Sequence, residues 1–203
     1  LVEKEKITQR RNLLVGLAAG IAASASVEAA HTASSTERPV RRTDYLLSEE
    51  EAWYVIANTP NAVMGTADAS GVPYAVPITP LLLNGRIYIH GTKDPKSRKF
   101  ENLRQNPRVS IVWIGTDPLK EDEFTVKYVS AMIAGSARLV TDRAEMQKIF
   151  EAYTQRFASS QSKEKQLDTI KGSIEDVALW EVTVDKISGK AKAKSPFFDG
   201  MKK

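Results

Sequence analysis

Cysteine is absent from this sequence of 203 residues, and histidine occurs only twice. The absence of cysteine excludes disulfide bridges, thiolate metal sites and cysteine nucleophiles. One histidine, His31, precedes the segment that has the pattern of a folded domain, which leaves His90 as the only histidine within it. A zinc or two-metal centre built from protein ligands is therefore not expected. Any cofactor of this domain should be organic.

The sequence also lacks a concentration of charge of one sign. Its formal net charge is +4 at pH 7, and the basic residues are interspersed with acidic ones. This distribution gives no reason to expect a nucleic-acid partner. The glycine-rich fingerprint of dinucleotide-binding folds is missing, as is the alternation of strands and helices that is typical of a Rossmann sheet.

The first forty residues differ in composition from the rest. Basic residues at positions 4, 6, 10 and 11 precede an apolar stretch, Leu13–Ala25, that is rich in alanine and glycine. A basic start, a short apolar middle and small residues after it are typical of an export signal, which is too short for a stable membrane span. Residues 8–14 also resemble a twin-arginine leader.

Three parts of the chain follow from this contrast. We predict an export leader and linker over residues 1–40, a folded domain over 41–190 and a basic tail over 191–203. Cleavage of the leader would make the protein periplasmic, and retention would leave it in the cytoplasm. The alternative is an amphipathic or tethering helix that stays attached.

Capping signals predict the helices of the domain. Ser48–Asn58 begins with a capping box, in which the hydroxyl of Ser48 can accept from the amide three residues later. An N-cap aspartate followed by proline predicts a second helix over Asp94–Asn106. Asp142–Phe157 starts with another capping box and carries methionine and aromatic residues at helical spacing, which predicts core packing. Residues 159–170 are polar and predicted to be irregular.

Six further segments have the composition of strands. They are Ala62–Thr66, Tyr74–Leu83, Arg86–His90, Arg108–Ile114, Thr125–Val140 and Val177–Ile187. Asn84-Gly85 is a strong hairpin signal, because both central residues of the turn need positive φ. Gly135, inside a long strand, predicts a bulge or a close backbone approach. Hairpin connections with helices at the ends predict an α+β fold, an antiparallel six-stranded barrel with flanking helices.

A basic segment between a strand end and a helix start is the candidate binding site. Arg98 offers a forked pair of donors, Lys99 a point charge and Ser97 a neutral donor, and the helix amides add partial positive charge. Cations at this end oppose the helix dipole, which favours a bound phosphate over a merely solvated helix start. His90 is either a satisfied structural residue or a polar group that orients substrate or moves a proton.

Several motifs in order resemble the flavin-binding split barrel of the pyridoxamine 5′-phosphate oxidases, and in detail its nitroimidazole-resistance branch. The resemblance covers residues 41–190. The motifs are Ser97-Arg98-Lys99 with Asn106-Pro107-Arg108-Val109-Ser110, Asp68–Pro77, Ile87–Gly91, Tyr128-Val129-Ser130 five residues before Gly135, and Gly189-Lys190. The fold that it implies is an α+β split β-barrel.

The resemblance implies an FMN-dependent oxidoreductase, reducing a small aromatic or nitro compound, with FMN at the interface of a homodimer. By the family's pattern, Ser97, Arg98 and Lys99 would hold the phosphate. The ring and ribityl chain would meet Pro77, Ile78, Thr79, Pro80, His90, Gly91 and Thr92. Ser130 falls where the oxidases carry a flavin-contacting glutamine, and Trp180 would lie on the partner's side of the pocket. His90 is the candidate catalytic residue, and no metal is implied.

Two departures from the family's pattern limit these expectations. The substrate-binding carboxyl-terminal segment of the oxidases is missing, so oxidation of pyridoxamine phosphate is not expected, and an insertion between His90 and Ser97 alters the phosphate turn. One alternative is a non-catalytic flavin or haem carrier, with His90 as the only histidine ligand in the domain. Another is a protein that has lost its cofactor and keeps the dimer alone.

Overall fold

The structure, a computed structural model, describes residues 40–201, so the predicted leader lies outside the described residues. The described chain forms four helices: α1 (Glu49–Asn58), α2 (Arg98–Gln105), α3 (Arg143–Phe157) and α4 (Lys163–Ser173). Its strands are β1 (Ala62–Ala67), β2 (Pro73–Ile78), β3 (Leu81–Leu83), β4 (Arg86–Thr92), β5 (Arg108–Thr116), β6 (Leu119–Lys120), β7 (Thr125–Val126), β8 (Val129–Val140) and β9 (Val177–Ala191). No helix within residues 40–201 is both long and apolar enough to cross a bilayer.

Seven strands form one antiparallel sheet in the order β2-β1-β5-β8-β9-β4-β3, and β6 pairs with β7 in a separate ribbon. The predicted α+β split barrel with flanking helices is confirmed. The strand count differs from the predicted six, because the expected single strand over 74–83 is two strands interrupted at Thr79-Pro80. The two strands pair with different neighbours, β2 with β1 and β3 with β4, so the chain leaves one end of the sheet order and joins the other at this point.

The curled sheet encloses the main core. Met64, Ile111 and Ile133, from three neighbouring strands, are fully buried on its inner face. Helix α1 contributes Val55 and helix α2 contributes Leu103 to the same cluster. The alternation of buried and exposed residues along these strands is what the period of two in the sequence predicts.

A second, smaller cluster lies on the outer face of β3, β4 and β9, under α3 and α4. Tyr153 of α3 and Ile170 of α4 pack with Leu179 of this face. The expectation that residues 159–170 are irregular is wrong for 163–170, which belong to α4. Ser162 caps that helix by accepting from an amide three residues later. Its apolar residues are few, so the periodic signal in the sequence is weak.

Two features of the backbone that the sequence predicts, a hairpin turn and a bulge in a long strand, are present in the structure. Asn84 and Gly85 have φ of 51° and 75°, as the predicted hairpin turn requires. At Gly135 the β8–β9 register shifts by one residue, and a Cβ there would lie 2.2 Å from the carbonyl oxygen of Thr183. Beyond β9, in the segment predicted as a basic tail, Phe197 and Phe198 pack against Tyr54 of α1.

Candidate functional site

Helix α2 presents the basic segment that the sequence marks as a phosphate site. The prediction that this helix begins at Asp94 is wrong: the Asp94 carboxylate accepts from the Lys96 amide at 2.9 Å and closes a turn. Ser97 is the N-cap, and its hydroxyl accepts from the Phe100 amide at 3.4 Å. Arg98 and the residue after it are then the first two helical residues. This is the part of a helix whose amides and dipole favour an anion.

Helix α2 is fixed to the sheet by a buried polar contact as well as by Leu103. The side-chain amide of Asn102, 3% exposed, donates to the hydroxyl of Thr66 in β1 at 3.0 Å. A buried amide needs such a partner, because leaving it unsatisfied costs about 1–3 kcal/mol. The contact holds the start of α2 beside strands β1 and β2.

Lys99 is half-buried and crosses from α2 to β4. Its Nζ donates to the carbonyl oxygen of His90 at 2.7 Å. A Cβ on Gly91 would lie 2.6 Å from both Cε and Nζ of Lys99, so glycine leaves the room for this path. Burial lowers the pKa of Lys99. An ammonium group has three donors, and those that His90 does not use can meet an anion.

Arg98 leaves the helix in another direction, toward β2. Its guanidinium carbon lies 4.8 Å from the centre of the Tyr74 ring, a cation–π contact, and Nη2 donates to the carbonyl of Pro73 at 3.4 Å. Arg98 remains exposed. The two basic side chains therefore leave the helix start toward different strands, Arg98 toward β2 and Lys99 toward β4.

A shallow cavity of about 260 Å³ brings together several of the predicted site residues. We call it the edge cavity, and its lining residues are Asn61, Pro77, Ile78, Thr79, His90 and Lys99. Asn61 was not among the predicted site residues, and its Oδ1 accepts from the Thr79 hydroxyl at 3.2 Å. No local signal marks Asn61, because it reaches the site through the pairing of β1 with β2, where Ala62 lies opposite Ile78.

His90 forms part of the wall between the edge cavity and a larger one. Its ring lies edge-on to two aromatic rings of α3, with centres 4.8 Å from Tyr153 and 6.4 Å from Phe150. His90 is more than a third exposed, but these rings and the chain around them partly desolvate its imidazole. That desolvation, with a smaller contribution from the positive charge of Lys99, lowers the pKa of His90. The imidazole is therefore neutral at neutral pH, with one nitrogen that donates and one that accepts.

The larger cavity, about 470 Å³, lies between α3, α4 and the end of β4, and we call it the helical cavity. Thr79 and His90 line both cavities. The other lining residues are Phe150, Tyr153, Thr154, Phe157, Ala158, Thr169, Ile170, Ser173, Ile174 and Val177. The aromatic residues of α3, for which the sequence predicts core packing, thus also line the helical cavity.

Other residues suggested by the resemblance lie elsewhere. Pro80 is buried and lines a separate small cavity, and the Thr92 hydroxyl accepts from the Asp94 amide at 3.1 Å. Ser130 is on the outer face of β8, in the middle of the sheet. Trp180 is 5% exposed and packs edge-on against Phe100 inside the barrel. Within one chain, these four side chains do not line the edge cavity.

The lowered pKa of His90 has a consequence for stability. We expect the free energy of unfolding to fall as the pH drops below about 6.5, the ordinary pKa of histidine, because the unfolded chain then binds the proton more readily than the folded chain. The stabilisation that comes from the lowered pKa of His90 is fully present above about pH 6.5. It is lost as the pH falls from there through the pKa of His90 in the folded protein. One proton sets an upper limit of about 1.4 kcal/mol per pH unit on the slope, and the exposure of His90 keeps the actual slope below that limit.

Urea unfolding of the wild type and of His90→Gln, from about pH 8 to about pH 5, measures this slope. The variant should show a shallower loss at the acidic end. His31 is present in both proteins and cancels in the comparison. Identical profiles would show that His90 titrates normally in the folded protein.

Comparisons with known proteins agree with this geometry. A model of the pyridoxamine 5′-phosphate oxidase family matches residues 48–191. A search of curated proteins found no match. A candidate 5-nitroimidazole antibiotic resistance protein from Bacteroides thetaiotaomicron is similar in structure, with 22% identity, a TM-score of 0.60, and coverage of 71% of this chain and 85% of that one.

Two other solved structures have the same fold. The FAD and haem binding protein from Mycobacterium smegmatis has 20% identity and a TM-score of 0.57, with 72% of each chain covered. The haem storage protein HutZ from Vibrio cholerae has 19% identity and a TM-score of 0.51, covering 68% of this chain and 92% of that one. Because the family model spans most of the split barrel and both of its cavities, the chain belongs to the pyridoxamine 5′-phosphate oxidase family.

Proposed function

We propose that this protein is an FMN-dependent oxidoreductase that reduces a small aromatic or nitro compound. One observation carries the proposal: the edge cavity joins a half-buried cation at a helix start, Lys99, to the apolar edge formed by Pro77 and Ile78. FMN has a phosphate at one end and a flat ring at the other. The phosphate would lie at Lys99, and the ring would lie along Pro77 and Ile78. Membership of the family and the relative that binds FAD and haem support a flavin as the cofactor.

The donor set fits a phosphate at one end of this cavity. The ammonium of Lys99 and the first amides of α2 would hold the phosphate, and Arg98 would approach from the side of β2. The chain beside them, Pro77 to Thr79, offers apolar surface and backbone groups for a ring. The volume of about 260 Å³ is below the range of about 300–1,000 Å³ typical of small-molecule sites. We infer that a second chain completes the site.

An exposed apolar face of the sheet supports a second copy of this chain, in a homodimer, as the chain that completes the site. Val63 and Met132 are 37% and 47% exposed on the outer face of the sheet, and Val112 lies between them in register. Ile114, two residues further along β5, is 53% exposed. Pro77 pairs with Val63 and also lines the edge cavity. A second copy covering this face would therefore reach the cavity as well.

When bound, FMN would supply two-electron redox chemistry to the site. A nitro group that takes two electrons and two protons becomes a nitroso group and releases water, and an external two-electron reductant would replace the electrons. The chain's own contribution is binding and orientation. Lys99 would fix the phosphate, and the neutral imidazole of His90 would hold a hydrogen bond to the acceptor beside the ring.

Reconstitution with FMN tests the proposal. The protein should acquire the visible spectrum of bound flavin, and FMN at about 100 times its Kd should raise the free energy of unfolding by about 2.7 kcal/mol. After anaerobic reduction with dithionite, addition of a nitroaromatic should restore the oxidised spectrum. A protein that FMN neither colours nor stabilises would overturn the proposal. The oligomeric state, measured with and without FMN, tests the dimer.

Haem is a second candidate, favoured by the position of His90. A neutral imidazole facing an apolar, aromatic cavity is the environment of many haem ligands. The lining of the helical cavity includes no lysine or arginine to meet the propionates of haem, which disfavours this candidate. Titration with hemin separates the two candidates. A Soret band that is present in the wild type and lost in His90→Gln would favour haem.

A further inference from the structure

We propose that the helical cavity binds an uncharged, planar aromatic molecule of one or two rings, with its polar substituent at His90. Only the identification of this molecule as the substrate rests on the proposed oxidoreductase function. The cavity, its lining and its ligand class follow from the described residues of α3, α4 and β4.

The walls set the shape and apolar character of the ligand. The rings of Phe150 and Phe157 flank that of Tyr153 on α3, with centres 6.2 and 5.9 Å away. Ile170 of α4 and Ile174, just after α4, also line the cavity. Aromatic side chains favour stacked or edge-on contacts with other rings. The volume of about 470 Å³ lies in the lower part of the range of about 300–1,000 Å³ for small-molecule sites.

The polar groups of the lining offer no partner for a charged ligand. The hydroxyl of Tyr153 donates to the Tyr88 carbonyl at 2.6 Å, and the hydroxyls of Thr154 and Thr169 donate to backbone carbonyls of their own helices at 2.9 and 2.8 Å. Apart from His90, no ionisable side chain other than a hydrogen-bonded tyrosine lines the cavity. Desolvating a charge without a partner is costly, so this lining favours a neutral ligand.

His90 and Thr79 place one end of this ligand next to the flavin site. Both residues line the helical cavity and the edge cavity. The neutral imidazole offers one donor and one acceptor, which suits a nitro, carbonyl or amide group. The apolar body of the ligand then lies between α3 and α4, and its reducible substituent faces the edge cavity.

Calorimetric titration with 4-nitrobenzamide and 4-nitrobenzoate tests the ligand class. The two probes have nearly the same shape and differ in charge. We expect the neutral amide to bind at least about tenfold more tightly than the anion, because desolvating a carboxylate without a cation is unfavourable. Equal affinities, or tighter binding of the anion, would overturn the assignment.

Cavity-filling variants test the location. Thr169→Trp places a large side chain in the cavity and should reduce the affinity for 4-nitrobenzamide at least about tenfold, the effect of losing the ring's contacts. Asp168→Trp, on the same helix but away from the lining, is the matched control and should bind as the wild type does. Ser173→Phe, on the exposed end of α4, fills the cavity from another position if Thr169→Trp does not fold.

FMN affinity measured in the same proteins separates this inference from the proposed function. We expect the filled variants to keep wild-type affinity for FMN, since α4 does not line the edge cavity. Binding of 4-nitrobenzamide without any binding of FMN would remove the proposed function and leave the helical cavity as a site. Wild-type affinity for the amide in both filled variants would refute the inference while leaving the flavin proposal untouched.

Discussion

FMN affinity should fall by a factor on the order of 100 in the variant Arg98→Ala/Lys99→Ala. Each side chain would lose a charge-assisted hydrogen bond to the phosphate, worth about 1.5–3 kcal/mol, and about 1.4 kcal/mol corresponds to a tenfold change in Kd. We expect Lys99→Ala alone to account for most of the loss. Lys99 is half-buried, whereas Arg98 is exposed and its charge is screened by solvent.

Riboflavin provides the sharpest control, because it has the ring and ribityl chain of FMN but no phosphate. Fluorescence titration should show that the double variant loses affinity for FMN and keeps that of the wild type for riboflavin. Arg104→Ala/Lys171→Ala is a matched variant, since it also removes two positive charges, from side chains that are 61% and 77% exposed. It should bind FMN normally. Equal losses of affinity for FMN and riboflavin would mean that Arg98 and Lys99 stabilise the fold and do not bind the phosphate.

The parts of this site that the sequence could predict are those determined by neighbouring residues. The capping box at Ser48 forms as expected, with both of its hydrogen bonds to Glu51 present at 2.8 and 3.1 Å. The Asn84-Gly85 turn likewise depends on the φ preferences of two adjacent residues. The clustering of Ser97, Arg98 and Lys99 at a helix start was visible for the same reason. Each feature is stabilised within a few residues of chain.

The start of α2 shows how a local signal can mislead. Asp94 followed by proline is a good N-cap pair, yet here the aspartate closes a turn, and Ser97 caps the helix three residues later. Both residues can accept from a backbone amide. Local preference alone does not choose between them. The helix that Ser97 caps is fixed to the sheet by the contact of Asn102 with Thr66, which joins residues 36 positions apart.

Features that depend on distant pairing could not be predicted. In β9 both Leu179 and Trp180 are buried, because one face lies in the barrel and the other lies under α3 and α4. Alternation along the strand therefore could not show that Trp180 faces the inner core. The helical cavity needed α4, whose periodic signal is weak, and Asn61 joins the site only through the register of β1 with β2.

Gly135→Ala should destabilise the protein by about 3 kcal/mol or more, the upper part of the range for overpacked sites. The new Cβ would lie 2.2 Å from the Thr183 carbonyl oxygen and 3.2 Å from its carbon, both backbone atoms. A flexible side chain could turn away from such a contact, but here the long pair β8–β9 would have to separate. This pair supplies inner-face residues such as Ile133 and Val182 to the core, so the separation would expose apolar surface.

Gly172→Ala is the matched control for the same chemical change. Nothing lies within 4 Å of a Cβ at Gly172, which belongs to α4. Alanine is favoured over glycine in a helix by about 0.5–1 kcal/mol, so this variant should be as stable as the wild type or slightly more so. Urea midpoints at constant m give both values. A loss below about 1 kcal/mol in Gly135→Ala would show that β8 and β9 can move apart at the bulge at little cost, and that the glycine is not required by the packing of this sheet.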